Sequence, residues 1–344
     1  MAHIIVLGAG VIGLQTSLGL LKKKYRVTLV SSHWPASDSD DAYYTSMHSG
    51  AQWRSNPAAE DVEAQSWDRA TLEHWRELIE AHSPQEIGLE RLPARFLWDS
   101  RLEHALEHEH WWSEQKVVPI REINDPPAGF AAGFEYETIA VNPIIYCQYL
   151  LRECKRLGAE TRTLRVNSLL EAFDAVPGGQ VVFNCTGVAA GPMTGDKACF
   201  PTMGQLVLVR GRANRISPRR NIDEPEPWEA LVFPRPGEDV TVLGGCKIPD
   251  SWETEPSDEI TRRIMERCHS MAPELLDEQG NFTVVKATVG LRPSRNGGPR
   301  VEKEDLGNSR LVIHNYGHHS AGFEGCVGAA EAGISLLRKH LSSP

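Results

Sequence analysis

The sequence predicts an α/β fold, a Rossmann-like dinucleotide-binding unit joined to a second domain built on an antiparallel sheet, and three observations carry that prediction. The chain opens with an apolar strand that runs into closely spaced glycines, His3-Ile4-Ile5-Val6-Leu7-Gly8-Ala9-Gly10-Val11-Ile12-Gly13. Two later apolar segments, Val181-Val182-Phe183-Asn184 and Leu311-Val312-Ile313-His314, each run into a small-residue or glycine-rich turn. From about residue 203 to 290 the pattern changes to β-like alternation with hairpin turns, as in Gln205-Leu206-Val207-Leu208-Val209-Arg210 and Thr241-Val242-Leu243-Gly244-Gly245.

The first element is justified by four consecutive apolar residues, Ile4 to Leu7, which suit a strand covered on both faces. Gly8 permits the tight turn, Gly10 lets the backbone approach a pyrophosphate, and Gly13 lets the following helix pack close to the sheet. Gly8, Ala9, Gly10, Val11, Ile12 and Gly13 form the expected dinucleotide cradle. A helix N-terminus there offers unpaired N–H groups and a positive dipole end to a diphosphate, with no basic side chain required. The helix should run from residue 11 to about 24. Leu14, Leu18 and Leu21 share a face, and Lys22, Lys23 and Lys24 suit its negative end. Residues 26–30 then supply a second strand.

Further along, residues 37–41 are a polar surface loop and residues 45–53 a glycine-containing segment. Residues 58–82 read as an amphipathic helix with Ala64, Trp67, Leu72, Trp75 and Leu78 turned inward, expected to pack on the cofactor domain. The stretch from 89 to 136 is mixed and broken by Pro126 and Pro127. Residues 142–157 read as another helix, leading to a strand end at Val166. Residues 261–271 give one helix within the second sheet, and residues 325–341 a terminal helix after the last strand. The domains are therefore expected to be discontinuous: 1–55, 140–203 and 291–344 for the cofactor, 56–139 and 204–290 for the substrate.

Composition narrows the function. With 344 residues, 41% hydrophobic and 24% charged, the chain can bury a large core in about two domains. Its 36 Lys and Arg against 46 Asp and Glu give a net charge of −10, and no basic run interleaves with aromatics, which argues against a nucleic-acid partner. No apolar run approaches the ~20 residues needed to cross a bilayer. The seven cysteines are scattered without a CxxC pair and read as reduced. No secretion signal is evident, and Leu341-Ser342-Ser343-Pro344 is not the peroxisomal tripeptide, so an intracellular, soluble, cytoplasmic protein is expected. Oligomeric state, including a homodimer, is left open. The segment His104-Ala105-Leu106-Glu107-His108 matches a zinc-peptidase spacing, but it sits in a run of alternating charge with no third ligand, and no metal site is expected.

The acidic residue expected about twenty positions beyond the glycines, for an adenosine ribose, is absent: the second strand ends Val30-Ser31-Ser32-His33. Either Ser31 and Ser32 bind the ribose by their hydroxyls, or they form an ordinary turn. That gap weakens a nicotinamide-dependent dehydrogenase more than a flavoprotein, because a buried FAD is held along its entire length.

From end to end the sequence resembles the D-amino acid oxidase and D-aspartate oxidase family of FAD-dependent oxidases. The matching segments are residues 6–14, Ser49-Gly50-Ala51-Gln52-Trp53, Tyr146-Cys147-Gln148-Tyr149-Leu150, Asn184-Cys185-Thr186-Gly187, Phe233-Pro234-Arg235-Pro236-Gly237, Val289-Gly290-Leu291-Arg292-Pro293 and His314-Asn315-Tyr316-Gly317-His318. The resemblance implies FAD as cofactor and a D-amino acid and dioxygen as reactants, giving a 2-oxo acid, ammonia and hydrogen peroxide. It implies that Arg292 pairs with the substrate α-carboxylate, whose planar geometry suits a guanidinium, and that catalysis works by orientation without a protein general base. Ser320 would approach the amino group or a bound water. Around the cofactor it implies Thr45, Ser46, Gly50, Val166, Gly187, His319, Ser320, Gly322, Phe323 and Glu324, the last group lying along the flavin.

Three departures from the family pattern bear on the substrate. Leu231 stands where a tyrosine ordinarily bonds the carboxylate. Lys247 falls where D-aspartate oxidases carry an arginine, and Arg54 is a second unexpected cation. Leu231 removes one hydrogen bond to the carboxylate, while the two cations favour an acidic D-amino acid, D-aspartate or D-glutamate; if both cationic side chains extend to solvent, a neutral D-amino acid or another amine stays open. Glu324 replaces a neutral polar residue, and a carboxylate beside a flavin gaining charge is unfavourable unless it points away or is protonated. The remaining alternatives are a nicotinamide-dependent dehydrogenase and a flavin-binding relative without oxidase activity.

Overall fold

A computed structural model describes residues 2–36, 39–58, 60–99, 111–220 and 228–342. The His104 to His108 segment lies outside the described residues, as do Ser37 and Asp38 of the polar loop. The strands, numbered along the chain, form two sheets. The first contains β1 (His3–Leu7), β2 (Arg26–Ser31), β6 (Glu160–Thr163), β7 (Val181–Asn184), β14 (Arg300–Asp305) and β15 (Leu311–Tyr316). The second contains β3 (Leu89–Trp98), β4 (Arg121–Glu122), β5 (Ala132–Val141), β8 (Cys199–Arg210), β9 (Ser217–Arg220), β10 (Trp228–Pro234), β11 (Val240–Cys246), β12 (Ile248–Pro249) and β13 (Val284–Arg295).

The first sheet has the order β14-β15-β7-β1-β2-β6 and is parallel except at the β14 edge. Its central strand β1 pairs Ile4 to Leu7 with both Val27–Val30 and Val181–Asn184, which is why those apolar residues sit at 0–1% exposure. Each such burial contributes about 1.5–3 kcal/mol relative to exposure. Helices α1 (Val11–Lys22) and, from the C-terminus, α9 (Cys326–Ser342) cover one side, and α2 (Val62–Ala81) packs on α9. Close approach of α2 and α9 is permitted by Gly328, where a Cβ would stand 2.1 Å from the Trp67 Cα. The other helices are α3 (Pro84–Ile87), α4 (Trp111–Glu114), α5 (Pro143–Arg156), α6 (Leu169–Ala175), α7 (Ala190–Thr194) and α8 (Asp258–Cys268). Among the described residues no helix is long and apolar enough to cross a membrane.

Caps account for several boundaries. Asp61 accepts from the Ala64 N–H, so α2 starts four residues later than its amphipathic pattern suggested. Asn142 caps α5 through the Ile145 N–H, as the 142–157 pattern implies. Ser257 caps α8, which shifts that helix three residues toward the N-terminus of the expected 261–271. Lys24 has φ +68° and ends the first helix at Lys22. The strand expected to end at Val166 ends at Thr163, with Val166 beyond it.

The second sheet is larger than the alternation pattern indicated. Its order is β12-β8-β11-β10-β9-β3-β5-β4, with β13 on the other side of β8. In the stretch that read as mixed, β3 and β5 pair without interruption from Leu89↔Val141 to Trp98↔Ala132. Arg91, Arg95, Glu135 and Glu137 on one face conceal the strand pattern in the sequence, since their ion pairs satisfy a solvent-facing surface. The seven cysteines are free thiols, six of them buried.

Candidate active site

At the C-terminal end of β1 the chain makes the tight turn that the glycines permit. Gly8 has φ +96°, and a Cβ there would lie 2.4 Å from the Cys185 carbonyl oxygen, so only glycine lets β7 and the turn meet. Gly13 faces inward, with its absent Cβ 2.0 Å from the Gly8 carbonyl oxygen; it brings α1 against the turn and is not part of the cavity wall. Gly10 is the N-cap of α1 and offers no side chain to its free N–H groups. The Ser46 hydroxyl accepts from the Val11 N–H at 3.1 Å, and the Tyr44 hydroxyl donates to the Ala9 carbonyl at 2.6 Å, fixing the turn from a distant segment. With no acidic residue in its first turn, α1 directs its positive end at open space suited to an anion.

That space is a cavity of about 1280 Å³ bounded by both sheets. From the first sheet and its turns come Gly8, Ala9, Gly10, Val11, Ile12, Ser31, Ser32, Val166 and Gly187. Thr45, Ser46, Gly50 and Arg54 line it from the segment after the polar loop, and His319, Ser320, Gly322, Phe323 and Glu324 from the turn before α9. Leu231, Lys247 and Arg292 reach it from the second sheet. Residues from Gly8 to Glu324 thus meet at one cavity, and of the predicted set Gly13 alone stands behind its wall.

Several of these side chains have defined partners. The Ser31 hydroxyl donates to the His33 carbonyl at 2.7 Å, and Ser32 Oγ pairs with His33 Nδ1 at 3.0 Å, so both serines are engaged in their own turn. Thr45 Oγ1 donates to the Leu291 carbonyl at 2.5 Å, tying the cofactor-side segment to β13. His319 has φ +51°, and its Nδ1 contacts the Ser320 hydroxyl at 3.0 Å. His318, buried in the same turn, bonds Asn315 Oδ1 through Nε2 at 2.8 Å, and burial pushes its pKa down to about 4, which keeps it neutral at physiological pH.

Arg292 lies on β13 opposite Thr202 of β8, and its guanidinium extends across β8 at Gly204. A Cβ at Gly204 would stand 2.1 Å from Arg292 Nη1, so that glycine makes room for the cation. The same Nη1 donates to the Cys246 carbonyl at 3.2 Å, next to Lys247 in the chain. Arg54 stacks over Phe96, 4.8 Å from the ring centroid. Leu231 projects from β10, paired with Gly244.

The structure adds residues that no short motif marked. Arg219 of β9 lines the cavity, held by Asp99 at 2.6 Å and stacked 5.2 Å over Phe130. His48 and Glu114 also line it, as does Gln52 from the Ser49-Gly50-Ala51-Gln52-Trp53 motif. Arg219 was concealed because its placement depends on β3 and β5, the strands least legible in the sequence. In a chain of net charge −10, five cations (Arg54, Arg165, Arg219, Lys247 and Arg292) line one cavity. Among the described residues no group of three or more His, Cys, Asp or Glu side chains could hold a metal ion.

Comparison with known proteins gives a consistent result. The family model described as "FAD dependent oxidoreductase" (DAO) matches residues 3–335. A D-amino-acid oxidase of Fusarium vanettenii is 29% identical over 353 residues, covering 98% of this chain and 96% of its own. A D-aspartate oxidase of Talaromyces thermophilus is 31% identical over 360 residues, covering 97% and 95%. Among solved structures, glycine oxidase from Bacillus cereus ATCC 14579 superposes with a TM-score of 0.76 at 15% identity over 99% of this chain and 96% of that one, a likeness of fold.

Proposed function

The chain belongs to the family of FAD-dependent oxidoreductases, and on that premise we propose that it oxidises an acidic D-amino acid, D-aspartate or D-glutamate, to the 2-oxo acid with dioxygen as electron acceptor. The observation that carries this reading is the meeting of Arg292 and Lys247 at one cavity, linked through the Cys246 carbonyl. The names of the two fungal relatives, one acting on D-amino acids and one on D-aspartate, support the substrate class.

The residues fit FAD. A cradle that a Cβ would fill at Gly8, a helix N-terminus without acidic residues, and a cavity of about 1280 Å³ reaching from that helix to the second sheet suit an extended dinucleotide. The backbone of Gly8, Ala9, Gly10, Val11 and Ile12 would hold the diphosphate, with Ser46 beside the helix terminus. Thr45, Gly50, Val166 and Gly187, with the 319–324 turn, would line the rest of the cofactor. Ser31 and Ser32 could reach a ribose only by exchanging the bonds they make to His33. Bound FAD supplies the hydride acceptor and afterwards passes the electrons to dioxygen, yielding hydrogen peroxide.

The protein's part is to bind and orient. Arg292 offers a two-pronged donor to the α-carboxylate, and its bond to Cys246 limits how that fork can turn. With Leu231 in place of a hydroxyl donor, the carboxylate depends more heavily on this one guanidinium. Leu231, Phe96 and Phe233 give the cavity apolar wall, and beside such a surface Lys247 and Arg54 would gain more from a second carboxylate than they would in bulk water. The substrate loses a hydride from Cα and a proton from nitrogen, leaving an imino acid. Water then hydrolyses it to the 2-oxo acid and ammonia. Ser320, exposed at the cavity wall, is placed to hold the amine or a water.

Replacing Lys247 with Met tests the side-chain assignment. We expect kcat/KM for D-aspartate or D-glutamate to fall by about 10- to 100-fold, roughly 1.4–2.7 kcal/mol, with that for a neutral D-amino acid unchanged or raised. Arg54→Met should act in the same direction. Steady-state kinetics on both substrate types checks this; equal losses on acidic and neutral substrates would contradict acidic selectivity.

A further inference from the structure

Two buried carboxyls in and behind the cavity wall take no part in the chemistry above. Glu324 is 6% exposed and lines the cavity, and Asp68 of α2 is 2% exposed. They converge on one stretch of backbone: Asp68 Oδ1 lies 2.9 Å from where a Cβ on Gly325, the residue after Glu324, would stand. A single short segment grips both. Asn56 Nδ2 donates to Glu324 Oε1 at 3.4 Å, and the Ser55 hydroxyl donates to Asp68 Oδ2 at 2.5 Å. Ser55 Oγ in turn accepts from the Trp111 indole N–H at 2.7 Å, which fixes the direction of the serine proton toward Asp68.

Two carboxylates that converge on one segment and are both buried from water do not both ionise readily near neutral pH. Burial, then the Asp68 charge, push Glu324 well above the usual carboxylate range, against the pull of Arg54 and Asn56. Asp68 is pushed up to about 7, chiefly by burial, opposed by the Ser55 hydrogen bond and assisted by Asp61. The other titratable groups that sense this pair are Tyr136 on β5 and Cys326 at the start of α9. Arg54 is the one cation of this set, and it is also stacked on Phe96. A negative Glu324 would face a cofactor that already carries two phosphates and gains negative charge on reduction.

We propose that Asp68 and Glu324 form one proton-holding pair in which Glu324 keeps its proton, so that this part of the wall presents a hydrogen-bond donor to the flavin in place of a negative charge. Glu324 is then a positioning residue for the cofactor, and Asp68 acts through it by holding the proton there. The proposal rests on the FAD assignment.

The test is a titration of FAD affinity, by quenching of flavin fluorescence, and of the flavin midpoint potential, by spectroelectrochemistry, from pH 6 to 10 in wild type and Glu324→Gln. At pH 6 the two proteins should agree. As the pair releases its proton to water at alkaline pH, wild type should bind FAD about tenfold more weakly than Glu324→Gln and show the more negative potential. Asp68→Asn removes the neighbouring charge, so the alkaline break should move to lower pH; a merely structural role for Asp68 would leave it in place. Parallel curves for wild type and Glu324→Gln over the entire range would overturn the proposal, as would weaker FAD binding by Glu324→Gln at every pH. Failure of wild type to take up FAD at any pH would instead sink the cofactor assignment, and the pair's role with it.

Discussion

Arg292→Ala is expected to raise KM for the D-amino acid on the order of 100- to 1000-fold, about 3–4 kcal/mol, while the purified protein stays yellow with bound FAD. The size follows from removing one partner of a shielded charge pair at a point where Leu231 supplies no second hydrogen bond to share the load. The fork also sets the angle at which Cα is presented, so kcat should fall together with kcat/KM. Gly204→Ala gives an independent check that leaves the guanidinium chemically intact. Its Cβ would lie 2.1 Å from Arg292 Nη1, so the side chain must shift, and KM should rise in the same direction by a smaller factor. Flavin absorbance and steady-state kinetics measure both. Unchanged KM in Arg292→Ala would remove the carboxylate assignment.

Gly13→Ala should be highly damaging at the cofactor end, although its backbone φ is one that alanine can adopt. Its Cβ would stand 2.0 Å from the Gly8 carbonyl oxygen and 3.3 Å from Cys185 Cβ, and the first contact is with backbone. Relief requires α1 to move off β1, which carries the helix N-terminus away from the position where it faces a diphosphate. Overpacking of this kind costs about 1–3 kcal/mol and occasionally more. We expect a lower thermal midpoint and FAD affinity reduced by at least about 100-fold, since the displacement acts on the phosphate cradle itself. Gly10→Ala makes a useful contrast: its Cβ would meet the Ser46 hydroxyl at 3.0 Å, a side chain able to give way, and the stability loss should be smaller. Thermal denaturation with and without added FAD separates the two effects.

The difference between those glycines shows what could be learned from sequence. The Gly8, Gly10 and Gly13 spacing encodes local geometry, and the strand, turn and helix follow from it within two residues of their observed bounds. Asn142 and the 142–157 periodicity worked for the same reason, because cap and amphipathic face are local. What local pattern could not reach was the long-range sheet. The β3–β5 pairing joins Leu89 to Val141, its outer face carries arginines and glutamates, and a proline, Pro93, stands within β3, so neither strand declares itself. Arg219 was lost with them, since its position in the cavity depends on β9 pairing with Leu97 and Trp98. Asp68 was hidden differently: on an amphipathic helix it looks like one more polar residue, and only the packing of α2 against the turn before α9 buries it. Glu324 was visible as a departure from a family pattern, but its proton-sharing neighbour was not.

Oxidation of a D-amino acid with dioxygen as acceptor is the reaction that the proposed site must perform. The direct measurement is hydrogen peroxide formation and oxygen uptake by the FAD-loaded protein with D-aspartate, D-glutamate, a set of neutral D-amino acids and the L-enantiomers. We predict peroxide from the D-enantiomers alone, with kcat/KM highest for the two acidic ones. A yellow protein that consumes no oxygen with any D-amino acid, or a colourless one that turns over only with added nicotinamide cofactor, would contradict it.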